Sequence, residues 1–288
     1  MMMNNIDVLI YSYKAKNIKD TLNSLFKNVS NNSIINVLLI DQNPIDREKS
    51  LKELFNLQYH HIFWDNISGP CFHKSKLIKS AKSDYLMILG ESTTLCKNWD
   101  LKFIEFIKNK NIILSGNKKT KISNKNIFYI KKEYENSTNF ELTNFIDRDF
   151  IFGKTDLIKS IEYPYYLKFN GEEELLSLQF FINKIDIFSV PKDQLSYEKN
   201  QPILNTYVPF SLNHNYNEVI NLFKYNKNNY FDLKNNIDIL NFNNFHNFDF
   251  SSLEPLPFST NDVSYDPDNL HFNKVDARRF VARTKAIH

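Results

Sequence analysis

Ile6-Asp7-Val8-Leu9-Ile10-Tyr11-Ser12-Tyr13 is apolar and β-branched, the pattern of a strand buried in a parallel sheet. Residues 17–29 follow, with Ile18, Leu22, Leu25 and Phe26 on one helical face. A second buried strand spans 35–40 and runs into Asp41-Gln42-Asn43-Pro44. The alternation continues with a helix at 47–55, a short strand at 60–64, a helix at 74–81 and a strand at 85–89. Strands separated by helices imply βαβ units and a parallel sheet. In such a sheet ligands sit beyond the carboxyl ends of the strands. That directs attention to residues 11–14, 41–43, 65–68 and 90–93. Asp41 at such an end can accept hydrogen bonds from the base or ribose of a nucleotide; the competing reading is an aspartate that caps the following turn.

The pattern extends through a helix at 99–108, a strand at 111–115 and a Lys/Asn/Ser-rich stretch at 116–140 that reads as exposed hairpin or loop. An apolar segment starts at Phe150, a short helix fits 156–161, and Gly171-Glu172-Glu173-Glu174 opens a further helix whose acidic first turn suits the helix dipole. A strand at 185–190 follows. Beyond about residue 205 the pattern weakens. Residues 226–250 are rich in Asn and Phe, with Phe242, Phe245, Phe248 and Phe250 spaced as anchors on another surface. Two units are expected: a domain over 1–204 and an extension over 205–288 that packs on the core or meets a partner.

Composition narrows the function classes. The 288 residues (34.2 kDa) are 42% hydrophobic and 24% charged, as in globular proteins. Thirty-six basic against 33 acidic residues give a net charge of +3, too small to argue for a nucleic-acid partner. Lysine dominates the basic residues; the arginines are Arg47, Arg148, Arg278, Arg279 and Arg283. The last three form a basic tail that fits a solvated helix end better than a phosphate clamp. Five glycines exclude glycine-rich nucleotide loops, and Cys71 and Cys96 exclude a disulfide framework. No signal peptide or membrane-length apolar run is evident, so a cytoplasmic protein without a membrane span is expected. His60-His61 point to opposite faces of a strand, and the other histidines lack ligand spacing. Trp64 and Trp99 suit core packing better than stacking on a sugar or base.

Three blocks taken together carry a family resemblance. Residues 6–41 look like the opening of a GT-A-type glycosyltransferase, with an acidic residue ending the second strand. Ser68-Gly69-Pro70-Cys71, a helix with basic residues, the strand Asp84-Tyr85-Leu86-Met87-Ile88-Leu89 and Asn98-Trp99-Asp100 resemble the middle of the enzymes that transfer N-acetylglucosamine to cytoplasmic proteins. Phe152-Gly153, Tyr163-Pro164, Phe169-Asn170-Gly171-Glu172-Glu173 and the strand ending at Pro191 are similar to that family's later block. The resemblance covers roughly residues 6–200 and implies an α/β, GT-A-like (Rossmann-like), mostly parallel sheet flanked by helices, with an irregular C-terminal extension.

It also implies a donor site for a UDP-sugar formed by Ser12, Tyr13, Asp41, Lys74, Gly90 and Ser92, with Glu172 and Glu173 on the acceptor side as carboxylates for a hydroxyl proton. The family's Asp-any-His metal motif falls on Gly90-Glu91-Ser92, and its later histidine falls near Gln194-Leu195-Ser196-Tyr197. Three readings follow. In the first, Lys74, Lys76, Ser92 or Thr93 stands in for metal at the diphosphate; in the second, Glu91 alone holds Mn²⁺ or Mg²⁺ with the donor phosphates and water; in the third, catalysis is lost and the fold survives as a binding module. The expected activity is transfer of a hexose or N-acetylhexosamine to a protein or glycan, the alternative an inactive module for binding or assembly. A nucleotide-binding α/β protein of unrelated chemistry is a third reading.

Overall fold

The computed structural model describes residues 3–13, 15, 17–63, 69–116, 118–122, 130–134, 137–143, 145–167, 171–197, 248–249 and 254–255. Its elements run β1 (Asn4–Tyr13), α1 (Ile18–Asn28), β2 (Ser33–Gln42), α2 (Glu48–Lys52), β3 (Leu57–Ile62), α3 (Gly69–Ser80), β4 (Tyr85–Gly90), β5 (Thr93–Leu95) and α4 (Trp99–Ile107). Then come β6 (Ile112–Ser115), β7 (Lys118–Ile122), β8 (Ile130–Tyr134), β9 (Glu141–Leu142), β10 (Phe150–Lys154), α5 (Thr155–Lys159), α6 (Glu172–Ile182), β11 (Asp186–Ser189) and β12 (Leu195–Tyr197). The short pair β13 (Phe248–Asp249) and β14 (Glu254–Pro255) closes the series.

Eight strands form the central sheet in the order β3-β2-β1-β4-β10-β6-β11-β9. β3, β2, β1 and β4 pair in parallel, as do β6 and β11; β10 runs antiparallel between β4 and β6, and β9 is an antiparallel edge. The alternation of side chains along each strand feeds two cores. Ile6, Val8, Ile10, Met87 and Leu89 pack with Ile18 and Leu22 of α1 and with Trp99 and Phe103 of α4. Leu9, Leu86 and Ile88 face the other way, against Leu77 and Ile78 of α3, Ile158 of α5 and Leu175 and Leu176 of α6. A sheet covered on both faces explains why its strands read as near-continuous apolar runs.

The α/β class with a mostly parallel sheet is therefore as the sequence indicates. Boundaries differ where local chemistry is ambiguous. The helix expected over 47–55 shortens to Glu48–Lys52, and the helix expected over 74–81 begins at Gly69 because Pro70 is tolerated in a first turn, where its missing N–H costs nothing. The stretch 116–140 contains the hairpin β7–β8. Trp64 and residues 65–68 lie outside the described residues, as do Phe169, Asn170, the aromatic anchors Phe242, Phe245 and Phe250, and the basic tail.

Candidate functional site

Strand order reverses between β1 and β4, and that switch point is where an open α/β sheet leaves a crevice at its carboxyl ends. Pairing sets Ser12 beside Asp41 and Tyr11 beside Gly90. Asp41 is fully buried and accepts hydrogen bonds from Arg47 Nε at 2.7 Å, from Arg47 Nη2, from Asn43 Nδ2 at 2.6 Å and from Tyr59 Oη at 2.9 Å. Arg47 also donates to the Ala15 carbonyl at 2.6 Å and to Ser12 Oγ at 3.4 Å. Tyr59 closes the ring by accepting from Arg47 N at 3.0 Å, and burial first, with the Asp41 carboxylate, pushes its phenol far above the ordinary range. Asp41, Ser12 and Tyr13 are thus brought together, with Arg47 laid over the carboxylate.

At the end of β4, Gly90 has no room for a side chain. A Cβ there would stand 2.8 Å from Asp149 Cβ, and Gly90 N donates to the Asp149 carbonyl at 2.7 Å. This close approach leaves no space for an aspartate at position 90. Glu91 is partly buried; its Oε2 accepts from Tyr13 N at 2.5 Å and its carbonyl from Thr21 Oγ1 at 2.9 Å. Glu91 is thereby linked to the carboxyl end of β1. Its charge, after burial, raises the Tyr11 phenol, whose hydroxyl donates to Gln42. Among the described residues no three His, Cys, Asp or Glu side chains converge as metal ligands. Glu91 is one carboxylate with one oxygen already accepting a backbone hydrogen bond, and Asp149 exerts its charge on Lys74 and Arg148. This donor set does not fit a protein-chelated divalent cation.

A second cluster lies between α3, the 147–149 turn and the start of α6. Lys74 Nζ bonds Glu172 Oε1 at 2.9 Å and the Arg148 carbonyl at 3.3 Å, and Tyr163 Oη donates to the same Glu172 oxygen. Burial alone would raise the Glu172 carboxyl, but the charges of Lys74 and Arg148 and the Tyr163 hydroxyl hold it below the ordinary carboxylate range. Glu172 Oε2 is buried without a hydrogen-bond partner, with the Cys71 thiol beside this carboxylate; burial first, and Glu172 next, push that thiol well up. Glu173 accepts from Arg148 N at 3.2 Å. All three acids of the α6 first turn are buried, so they are not the solvated face that helix-dipole chemistry alone would give.

The predicted residues therefore divide. Ser12, Tyr13, Asp41, Gly90 and Glu91 meet at the carboxyl ends of β1, β2 and β4, with Ser92 next in the chain and half-buried. Lys74 joins Glu172 and Glu173 in the second cluster, which touches the first where Asp149 meets Gly90. Lys76 is exposed, its ammonium over the Phe72 ring, and the Thr93 hydroxyl is buried without a partner. Sequence reasoning missed Arg47, Arg148, Asp149 and Tyr163 as members of these clusters. The available signal was the scarcity of arginine in a lysine-rich chain.

Other motif residues brace the frame. Trp99 is fully buried, and Asp100 accepts from Ser30 N at 2.9 Å and Ser30 Oγ at 2.5 Å, fastening α4 to the end of α1. Tyr197 donates to Asp147 Oδ2 at 2.6 Å. Among the described residues no helix is long and apolar enough to cross a membrane.

No known family matches the sequence, and no curated protein is detectably similar to it. Solved structures are similar in fold. S. aureus TarS 1–349 in complex with UDP-GlcNAc superposes with a TM-score of 0.55 at 18% identity, over 83% of this chain and 72% of that one. The longer S. aureus TarS gives 0.54 at 19% identity over 84% of this chain, which spans 43% of it. GalNAc-T7 with UDP, GalNAc and Mn²⁺ gives 0.59 at 13% identity, over 77% of this chain and 48% of that one. The chain has the fold of the GT-A-type glycosyltransferases.

Proposed function

We propose that this protein is a glycosyltransferase that moves a sugar from a nucleotide-sugar donor, a UDP-hexose or UDP-N-acetylhexosamine, to a hydroxyl of a protein or glycan in the cytoplasm. The observation that carries the reading is the gathering of Ser12, Tyr13, Asp41 with Arg47, Gly90 and Glu91 at the switch point of a GT-A sheet. That UDP-GlcNAc is bound in a TarS structure, and UDP and GalNAc in one of GalNAc-T7, supports the same class of donor.

In the transfer an acceptor oxygen bonds the anomeric carbon while the glycosyl–phosphate bond breaks. The nucleoside diphosphate leaves with the electron pair, and the acceptor proton passes to a base. In our reading the diphosphate lies against the β4 end at Gly90 and Ser92. Lys74 is spent on Glu172, so Glu172 braces α6 against α3 and Glu173 is the carboxylate for the acceptor proton. No observation on the described residues favours the inactive binding module.

Calorimetric and thermal-shift titrations with UDP and UDP-N-acetylglucosamine, with and without Mn²⁺, test the proposal. Saturable binding is expected. Strengthening by Mn²⁺ would bring Glu91 in as a ligand completed by donor phosphates and water. Failure to bind any nucleotide sugar would overturn the transferase reading.

A further inference from the structure

An aspartate at the end of β2 invites the reading that its carboxylate meets the nucleoside, yet Asp41 has no lone pair to offer. Its two oxygens accept four hydrogen bonds, two from Arg47 and one each from Tyr59 and Asn43, and a carboxylate has about four acceptor sites. Its side chain is fully buried, whereas Arg47 keeps 19% of its side chain exposed at the same strand ends. Among the described residues Arg47 spends four N–H groups, two on Asp41, one on Ala15 and one on Ser12; a guanidinium has about five. Of the two, the group that keeps some exposure at these strand ends is therefore a fixed donor and not an acceptor.

We propose that Arg47 is the residue that reads the nucleobase, and that Asp41 is a positioning residue that holds the Arg47 fork at the strand ends. The inference rests on the nucleotide-sugar reading above and deepens it. A guanidinium has no acceptor and keeps its proton. With one Nη1 N–H left, the base is then recognised through a single acceptor atom: a ring carbonyl of a pyrimidine, or O6 of guanine. A ring N–H finds no partner at Asp41. Bidentate pairing with Asp41 and the bonds to Ala15 and Ser12 fix the guanidinium before the ligand arrives, so little side-chain freedom is lost on binding.

The test is calorimetric titration of the full chain with UDP, CDP, GDP and inorganic pyrophosphate, using wild type, Arg47→Gln, Asp41→Asn and the double variant. Wild type should bind at least one nucleoside diphosphate. Arg47→Gln should weaken that binding about 10- to 100-fold, the worth of a charge-assisted hydrogen bond, and leave pyrophosphate binding unchanged. Asp41→Asn should weaken it too, but should add little once Arg47 is gone. If Asp41→Asn does not fold, Arg47→Lys carries the test: it keeps the charge and loses the fork, and should bind the nucleotide more weakly than wild type with pyrophosphate unaffected. Unchanged or tighter nucleotide binding by Arg47→Gln would overturn the inference and leave the transferase reading standing, because uncovered Asp41 would then be the reader. Equal loss of nucleotide and pyrophosphate would also overturn it. Wild type that binds no nucleotide would overturn both.

Discussion

Lys74 and Glu172, 98 residues apart in the chain, meet as a buried ion pair with Nζ 2.9 Å from Oε1. The contact joins α3 to the first turn of α6 and, through Tyr163 and the Arg148 carbonyl, to the turn that approaches Gly90. A buried pair of this kind is costly to break singly, because the remaining charge keeps its desolvation penalty and loses its partner.

Lys74→Met or Glu172→Leu alone should each destabilise the protein by about 3–5 kcal/mol, and the double replacement by much less. Chemical denaturation of the two single variants and the double variant measures this. A double variant as unstable as the sum of the singles would show that the pair is not the unit of the interaction.

The same pair sets a pH dependence. The Glu172 carboxyl is depressed below its ordinary 4.5, since Lys74, Arg148 and Tyr163 together outweigh the upward push of burial. Its stabilisation is present above 4.5 and is lost as pH falls through the lower folded-state value. Burial would lower Lys74, but Glu172 and other neighbours raise it above 10.5; its contribution is complete below 10.5 and is lost as pH rises through the higher folded-state value. Asp7, depressed by hydrogen bonds from Ser83, Lys82 and Asn36 against the effect of burial, shares the acid limb. Melting temperature against pH should therefore retain part of its acid limb in Glu172→Gln while the Lys74 contribution at alkaline pH shrinks.

Gly90→Asp would place a carboxylate at the end of β4, and the close approach of Asp149 is expected to defeat it. Its Cβ would lie 2.8 Å from Asp149 Cβ and 3.1 Å from the Asp149 carbonyl. A loss of about 1–3 kcal/mol is expected from overpacking, with no gain of Mn²⁺ dependence in the nucleotide titration. A stable variant with tighter Mn²⁺-dependent binding would refute the fit described above.

The Tyr197 hydroxyl donates to buried Asp147 at 2.6 Å. Tyr197→Phe should cost about 1.5–3 kcal/mol, the range for a hydrogen bond to a charged group. Gly116→Ala should cost at least as much, since its Cβ would fall 1.9 Å from the Tyr197 hydroxyl and 2.2 Å from Asp147 Oδ2. Melting curves of both variants are the check, and a neutral Gly116→Ala would show that this corner yields easily.

By itself the sequence determined the layers. Apolar, β-branched runs such as Val37-Leu38-Leu39-Ile40 fit a sheet covered on both faces, and the stripe of Ile18, Leu22 and Leu25 fits a helix laid on it, because burial periodicity is a local property. It also placed Asp41, Ser12, Tyr13 and Gly90 at strand ends, where topology alone makes them neighbours.

Only the tertiary structure decided what those side chains touch. The antiparallel entry of β10 between β4 and β6 puts Asp149 against Gly90, and no local pattern distinguishes that strand from a parallel one. Lys74 and Glu172, assigned from sequence to opposite sides of a reaction, spend their charges on each other. Asp41, read as an acceptor for a ligand, is covered by an arginine only six residues away. Charges find partners through the packing of whole elements, and burial makes that pairing obligatory, since a charge removed from water without a partner is too costly to keep.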